Sequence, residues 1–462
     1  MKFLNRQKEI DRLKQSISSD AFKLIVIYGR RRLGKTRLLQ QIFQKDDIYF
    51  IADQREPTVQ IQSFAHQIGL KIKNFDKATY PDWESLFLSL ARWMNRRRTI
   101  FIDEFPYIVK NAPELPSVLQ KMIDGEDSLP FQLVLCGSSQ QMMQKMVIDQ
   151  TSPLYGRASE IVKINPMNIY WLKKALDCTY QEAIEEYSVW GGVPRYWEIR
   201  QNAGSLREAV IKNVFDVHGV LHEEPLRLFL DDTRDSVQMH TLISLIASGA
   251  NRLSEIGTRI GKPMTQLNRP LQRLIELGYV KREVPFGLSK HTTKRTLYKI
   301  ADPFMYFYYK FVVPEKTSLE LGYAEQIFDT TVDERFPDFC GEVWEELCRQ
   351  AIPALWKEKF FEPGARWWGN DLNNNSAEID IVSQSHDKKE ILLGEAKWSS
   401  TRNIRAVLKR LDQKARYLPF VKDKIIHKVL FIKEKTNSIP EGYTLFTPED
   451  VINAFHSDKK DS

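Results

Sequence analysis

Gly29-Arg30-Arg31-Arg32-Leu33-Gly34-Lys35-Thr36 meets every fixed position of the pattern G-x-x-x-x-G-K-[ST]. The glycines let the main chain fold around phosphate with its N–H groups pointing inward, and a helix opening at the loop adds positive potential. In such a loop Gly29, Arg32 and Gly34 form the cradle and Lys35 reaches the β- and γ-phosphates of ATP. Thr36 offers a hydroxyl to Mg²⁺. A second segment, Thr99-Ile100-Phe101-Ile102-Asp103-Glu104, ends an apolar run in two carboxylates, 68 residues after Lys35 (103 − 35). Asp103 can hold the Mg²⁺ hydration shell and Glu104 can polarise the attacking water, which favours hydrolysis over nucleotide binding alone. Ser138, at the end of a further apolar run, either senses the γ-phosphate or caps a helix start. Arg157, in Leu154-Tyr155-Gly156-Arg157, is either an arginine finger toward a neighbouring subunit's γ-phosphate or a surface arginine.

A second group of candidates follows much later. Glu378-Ile379-Asp380-Ile381-Val382 and Leu393-Gly394-Glu395-Ala396-Lys397 both read as strands carrying acid. Glu395 and Lys397 are two apart and share one face. Asp380 precedes Glu395 by 15 residues (395 − 380), enough for a hairpin through 384–389 that brings the two acids together. Paired buried carboxylates must neutralise or take a cation, and hard oxygen ligands suit Mg²⁺ or Mn²⁺. Lys397 would orient or deprotonate water and balance charge on a phosphate, which is metal-assisted phosphodiester hydrolysis. The other reading is a decayed site that keeps a Glu–Lys ion pair.

The elements that must position these groups are legible in outline. Short continuous apolar runs at Lys23–Tyr28, Asp47–Ile51, Thr99–Asp103, Phe131–Leu135 and Glu160–Ile164 read as strands, with amphipathic helices such as Trp83–Met94 between them. That alternation predicts an α/β fold with a covered parallel sheet. Helical patterns dominate from Asn165, broken at Gly191-Gly192-Val193-Pro194. Residues 236–313 read as three helices and a hairpin, a winged helix whose third helix offers Thr265, Gln266, Asn268, Arg269, Gln272 and Arg273 to DNA. Lys281, Arg282, Lys290, Lys294 and Arg295 of the wing would add phosphate contacts. Pro270 should kink or shorten the third helix. The alternative is a winged helix used for packing or oligomer contacts. Val312–Ser318 reads as a linker. The division is 1–165 for the ATPase core, 166–235 for a helical lid, 236–313 for the winged helix and 322–455 for a C-terminal α/β domain.

The chain has 462 residues, 42% of them hydrophobic, with 67 Lys and Arg against 60 Asp and Glu, a net +7. This mild basic excess fits contact with nucleic acid or nucleotide phosphate. No apolar run reaches the ~18 residues of a membrane span, and the charge in Met1–Arg6 comes too early for a secretory segment. Cys136, Cys178, Cys340 and Cys348 are too dispersed for a disulfide framework or a four-thiolate zinc site, so a reduced, cytoplasmic location is expected. Trp367, Trp368 and Trp398 either stack on bases or fill the core.

The motifs Gly-Arg-Arg-Arg-x-Gly-Lys-Thr, Phe-Ile-Asp-Glu-Phe, Cys-Gly-Ser-Ser, Leu-Tyr-Gly-Arg and Gly-Gly-Val-Pro-Arg-Tyr resemble the archaeal-type ATPase family. That family is a branch of AAA+ and signal-transduction P-loop ATPases, and the similarity runs from about Phe3 to the chain end. The resemblance implies that Gly192 and Pro194 belong to a lid reporting nucleotide state. It also implies, by analogy, a ring or helical homo-oligomer. The Asp380…Glu395-x-Lys397 pattern is similar to the restriction-endonuclease-like nuclease superfamily, although Ile379 stands where proline is common. This second resemblance assigns Glu342 as the acid of the first helix and Gln413 and Tyr417 as a Q-x-x-x-Y helix pair. Together they imply an ATP-driven, DNA-processing enzyme with a magnesium-dependent nuclease domain. The alternatives are a nucleotide-switched DNA-binding protein, or a signal-transduction ATPase with a protein partner, each with an inactive nuclease fold.

Overall fold

The computed structural model describes residues 2–125, 129–232, 236–289, 292–398, 404–435 and 440–456, without the side chains of 231 and 232. The chain forms two compact units, Met1–Pro166 and Met167–Ser462.

The first unit is built on five parallel strands, β1 (Leu24–Tyr28), β2 (Ile48–Ile51), β3 (Arg98–Asp103), β4 (Phe131–Gly137) and β5 (Glu160–Lys163), ordered β2-β3-β4-β1-β5. Every residue of β1, β3 and β4 is buried, as a sheet covered on both faces requires. The edge strands are partly wet, so Ile51 and Ile161 are exposed. Helix α1 (Lys35–Ile42) follows β1 directly. Because β3, β4 and β1 are neighbours, the carboxyl ends that carry Glu104, Ser138 and the Gly29–Thr36 loop open side by side.

The second unit begins with helices, among them α2 (Tyr180–Trp190) and α3 (Pro194–Arg200). Gly191 separates them at φ +55°, where a Cβ would sit 3.1 Å from Pro303. Trp190, Tyr196 and Trp197 are buried around the break. Helices α4 (Ser236–Ala247), α5 (Leu253–Ile260) and α6 (Met264–Glu276) precede the antiparallel pair β6 (Val280–Glu283) and β7 (Leu297–Ile300). Helix α6 is not shortened at Pro270; it continues for 13 residues, with Leu267, Leu271 and Leu274 buried on one side. That apolar stripe holds the helix through the lost hydrogen bond.

The expected linker at Val312–Ser318 is instead a tight turn at 313–315 between two helical segments, Tyr308–Val312 and Lys316–Glu320, with Val312 and Leu319 buried. Phe307 and Phe311 recur at helical spacing and lie 5.8 and 5.3 Å from Phe339, centroid to centroid, so aromatic burial holds the segment that leads into the turn. Phe339 belongs to α7 (Asp333–Leu355), which opens the C-terminal α/β part. There the sheet order is β12-β11-β10-β9-β8, with β8 (Ala365–Asn370), β9 (Ser376–Gln384), β10 (Glu390–Lys397), β11 (Ile425–Ile432) and β12 (Tyr443–Phe446). Strands β8 to β10 are antiparallel, and β10 to β12 are parallel. Helix α8 (Ile404–Ala415) lies between β10 and β11 in sequence and packs Leu411 and Ala415 with Ile391 and Leu393 of β10. Among the described residues no helix is long and apolar enough to cross a membrane. Phe339→Ala should cost ~3–5 kcal/mol of unfolding free energy in a denaturant titration. A loss below ~1 kcal/mol would mean the aromatic cluster does not hold this segment.

Candidate active sites

The phosphate loop is shaped by what surrounds it. A Cβ on Gly29 would come within 2.5 Å of the Ile164 carbonyl oxygen, so only glycine passes there. Arg32 and Gly34 take positive φ, 66° and 86°, and turn the chain into α1. Lys35 is buried and its Nζ donates to the carbonyls of Gly29 (2.8 Å) and Arg30 (3.1 Å), bracing the loop. An ammonium carries three donors, so this bracing leaves one for a phosphate.

Asp103, at the end of β3, is 1% exposed. Its Oδ2 accepts from Thr36 Oγ1 (2.7 Å) and from the Tyr49 hydroxyl (2.9 Å), and its Oδ1 accepts from the Glu104 amide (3.0 Å). Hydroxyl and carboxylate side by side are hard oxygen donors, and this set fits Mg²⁺. Glu104 is held at φ +54°, a left-handed conformation that costs ~1–3 kcal/mol for a non-glycine residue. Its Oε2 accepts from Ser138 Oγ (2.8 Å) and the Ser138 amide (3.2 Å). Ser138 therefore orients the candidate base. Arg157 forms a two-pronged ion pair with Asp124 (2.8 and 2.6 Å), so its guanidinium fork is engaged within its own unit.

Tyr49 was not visible as a site residue. Burial, then the Asp103 charge, pushes its pKa up and keeps it a neutral donor. The pairing of β2 with β3, Ile51 opposite Asp103, sets it two positions back on the same face. Strand order carries that information, and the sequence around Tyr49 does not.

The second cluster forms where β9 and β10 pair. Ile381 opposite Gly394 sets Asp380 beside Glu395. Lys397 Nζ bridges the two acids, 3.1 Å from Asp380 Oδ2 and 3.0 Å from Glu395 Oε2. The Ala396 amide also donates to Asp380 (3.1 Å). Burial alone would raise the Asp380 pKa, but the Lys397 charge and these hydrogen bonds outweigh it and hold Asp380 ionised. Glu395 is shifted upward, by burial first and by the Asp380 charge second. Both carboxylates are buried, whereas the Lys397 side chain is about a third exposed and marks the open side of the cluster.

Three expected members make no hydrogen bond to the cluster among the described residues. Glu342 accepts a hydrogen bond from the Tyr306 hydroxyl (2.6 Å); the α7 acid that feels the Asp380 charge is Glu345, one helical turn on. Gln413 is exposed, and Tyr417 falls beyond the last turn of α8. Lys414 is the α8 residue that reaches in, with Nζ 2.7 Å from Glu395 Oε1. One residue of helical phase, about 100° of rotation, separates Gln413 from Lys414. Among the described residues no group of three His, Cys, Asp or Glu side chains converges to hold a metal. Two carboxylates are what the cluster offers a hydrated divalent ion.

The expected wing contacts are largely spent internally. Lys281 pairs with Glu346 (2.5 Å), Arg282 donates to the Thr293 carbonyl (3.3 Å) and Arg295 to the Trp368 carbonyl (3.0 Å). Lys294 is exposed, and Lys290 lies outside the described residues. On α6, Thr265, Gln266, Asn268, Arg269 and Gln272 are exposed, and Arg273 is half-buried. Trp367 and Trp398 are core residues against Phe420 and Trp344, and Trp368 is half-buried beneath Arg366. Cys340 and Cys348 are buried and unpaired on α7.

Residues 3–198 match a family described as an ATPase domain predominantly from Archaea. Residues 308–407 match a family described as archaeal and bacterial proteins of unknown function. An uncharacterized protein of Methanocaldococcus jannaschii is 28% identical over 425 residues, covering 90% of this chain and 92% of that protein. An uncharacterized ATP-binding protein of the same organism is 37% identical over 46 residues, 10% of this chain and 78% of that protein. A Walker-type ATPase of Pyrococcus abyssi shares the fold at TM-score 0.52 and 21% identity, over 67% of this chain and 96% of its own.

Glu345 supplies a pH test. Burial and the Asp380 charge lift its pKa from 4.5 to about 7 against the pull of Arg349. The folded state then binds the extra proton between those values, so stability falls as pH rises through that window, by about 3 kcal/mol at most. Glu345→Gln should raise the melting temperature at pH 8 and change it little at pH 4.5. Equal shifts at both pH values would remove the buried charge as the cause.

Proposed function

We propose that this protein, whose residues 3–198 match a family described as an ATPase domain predominantly from Archaea, hydrolyses ATP, binds DNA and cuts it at its C-terminal carboxylate–lysine cluster. In the first unit Lys35 reaches the β- and γ-phosphates, and Glu104, oriented by Ser138, takes the proton of the attacking water. Thr36 and Asp103 would hold Mg²⁺, which would supply charge neutralisation at the phosphates. Arg157 acts on a neighbour's nucleotide in a ring or helical homo-oligomer only once it leaves Asp124. The exposed polar side of α6 is the DNA-facing surface of a winged helix, and residues 322–455 form a restriction-endonuclease-like domain.

The nuclease reading rests on one observation: Lys397 reaches both Asp380 and Glu395 across two strands, at the open side of a buried pair. Asp380 and Glu395 would hold a divalent ion, which would supply the Lewis acid. Lys397 would then turn to the phosphate or the nucleophilic water, and Lys414 keeps the charge of Glu395 balanced. A second reading, a nucleotide-switched DNA-binding protein with an inert cluster, is favoured by the two lysines that already neutralise the two acids.

Lys35→Ala should abolish tight ATP binding, measured by calorimetry. Glu104→Gln should keep binding and slow turnover by at least ~100-fold, trapping ATP; equal turnover in both forms refutes that role. Lys397→Ala should end Mg²⁺-dependent cleavage of DNA and leave ATP turnover intact. Should the parent protein cut neither single- nor double-stranded DNA with Mg²⁺ or Mn²⁺, the second reading stands.

A further inference from the structure

A cavity of about 270 Å³ lies within the second unit, between the end of α4, the residues following β7 and the outer side of α7. It shares no residue with the Asp380–Glu395–Lys397 cluster, although Arg349 lines it and at the same time donates to the Asp380 carbonyl (2.9 Å). Four cationic side chains line it, Lys281, Lys299, Lys310 and Arg349, against two carboxylates, Glu342 and Glu346.

The partners of these groups show which are satisfied. Glu346 accepts from Lys281 (2.5 Å), Arg349 (3.2 Å) and Gln350 (2.8 Å), and Lys281 and Arg349 hold its pKa down at about 2 despite burial. Glu342 accepts from Tyr306. Lys299 pairs with Glu283 at 3.5 Å. Lys310 differs: among the described residues its ammonium meets no carboxylate, only the Tyr306 ring, 5.8 Å from the centroid. The Tyr187 hydroxyl likewise makes no hydrogen bond among the described residues, and burial, with Asp302 and Glu346 nearby, keeps it protonated. Both acids of the lining already accept hydrogen bonds, while Lys310 and the Tyr187 hydroxyl have no acceptor among the described residues. Ile246, Ala247, Pro303, Val343 and Leu347 give the wall an apolar part, beside the amides of Asn251 and Gln350.

We propose that this cavity binds a small aromatic anion, with its ring against the apolar wall and its phosphate or carboxylate group on Lys310 and the Tyr187 hydroxyl. Scaling from an apolar cavity of ~150 Å³ that takes benzene, the volume suits a ligand of about eleven heavy atoms, one ring and one charged group. A free carboxylate or phosphate alone would leave the apolar wall wet, and a neutral ring would leave Lys310 unmatched. Selectivity should follow from needing both halves.

Titration calorimetry on the full chain, with the phosphate loop saturated by ADP, tests this using phenyl phosphate, benzoate, phenol and inorganic phosphate. Phenyl phosphate or benzoate should bind one site at least ~10-fold more tightly than phenol or inorganic phosphate. The two anionic arms separate a phosphate source from a carboxylate source, and binding by either supports the site. Lys310→Met should weaken the anion by ~10-fold and leave phenol unchanged. Ala247→Phe, which fills the cavity from α4, should remove binding while the variant still melts cooperatively. No saturable binding of either aromatic anion at millimolar concentration overturns the proposal. So does inorganic phosphate binding as tightly, or affinity unchanged in both variants.

Discussion

A carboxylate carried out of water must be met by hydrogens or by positive charge, and both candidate sites are organised around that demand. In the first unit the carboxylate is Asp103, delivered to the end of a fully buried strand and met by Thr36, Tyr49 and the next amide. These three hydrogen bonds tie the phosphate loop, an edge strand and the turn into Glu104 to one side chain. The left-handed turn at Glu104 then aims that residue back at Ser138 on the neighbouring strand. The geometry of the loop and that of the candidate base are consequences of one buried charge.

The C-terminal cluster answers the same demand differently. Two acids are met there by two ammonium groups, one from β10 itself and one from α8. Buried opposite charges of this kind neither add nor remove much stability on balance, because desolvation offsets attraction. Their value lies in placement: the pair is fixed by strand register, and Lys397, the most exposed of the four, can move without disturbing the sheet. A third acid, Glu345, stands close enough to feel Asp380, and Arg349 restrains it.

The helical and hairpin part of the second unit shows how packing redirects charge. Residues chosen on sequence grounds to touch phosphate, namely Lys281, Arg282 and Arg295, find carboxylate or carbonyl oxygens within the chain. The exposed side of α6 remains available to solvent. The same packing leaves the lysine-rich cavity beside α7, whose lining carries four cations and two carboxylates.

How much of this was legible beforehand depends on the range of the interaction. The five parallel strands, the loop motif, the Asp103–Glu104 end and the hairpin joining Asp380 to Glu395 are local patterns: continuous apolar runs, a fixed spacing, a turn of the right length. Period and composition within a dozen residues settle them. Helical phase and long-range pairing do not work that way. Choosing between Glu342 and Glu345, or between Gln413 and Lys414, needs the face of a helix that meets the sheet, and that face is set by what packs against it. Tyr49 became a partner of Asp103 only because β2 was laid beside β3, and the helix before the expected linker is held by Phe339, which receives Phe307 and Phe311. The sequence by itself determined the chemistry on offer and the elements that carry it. Tertiary structure decided which side chains meet, because burial energy is collected over contacts between segments that are remote along the chain.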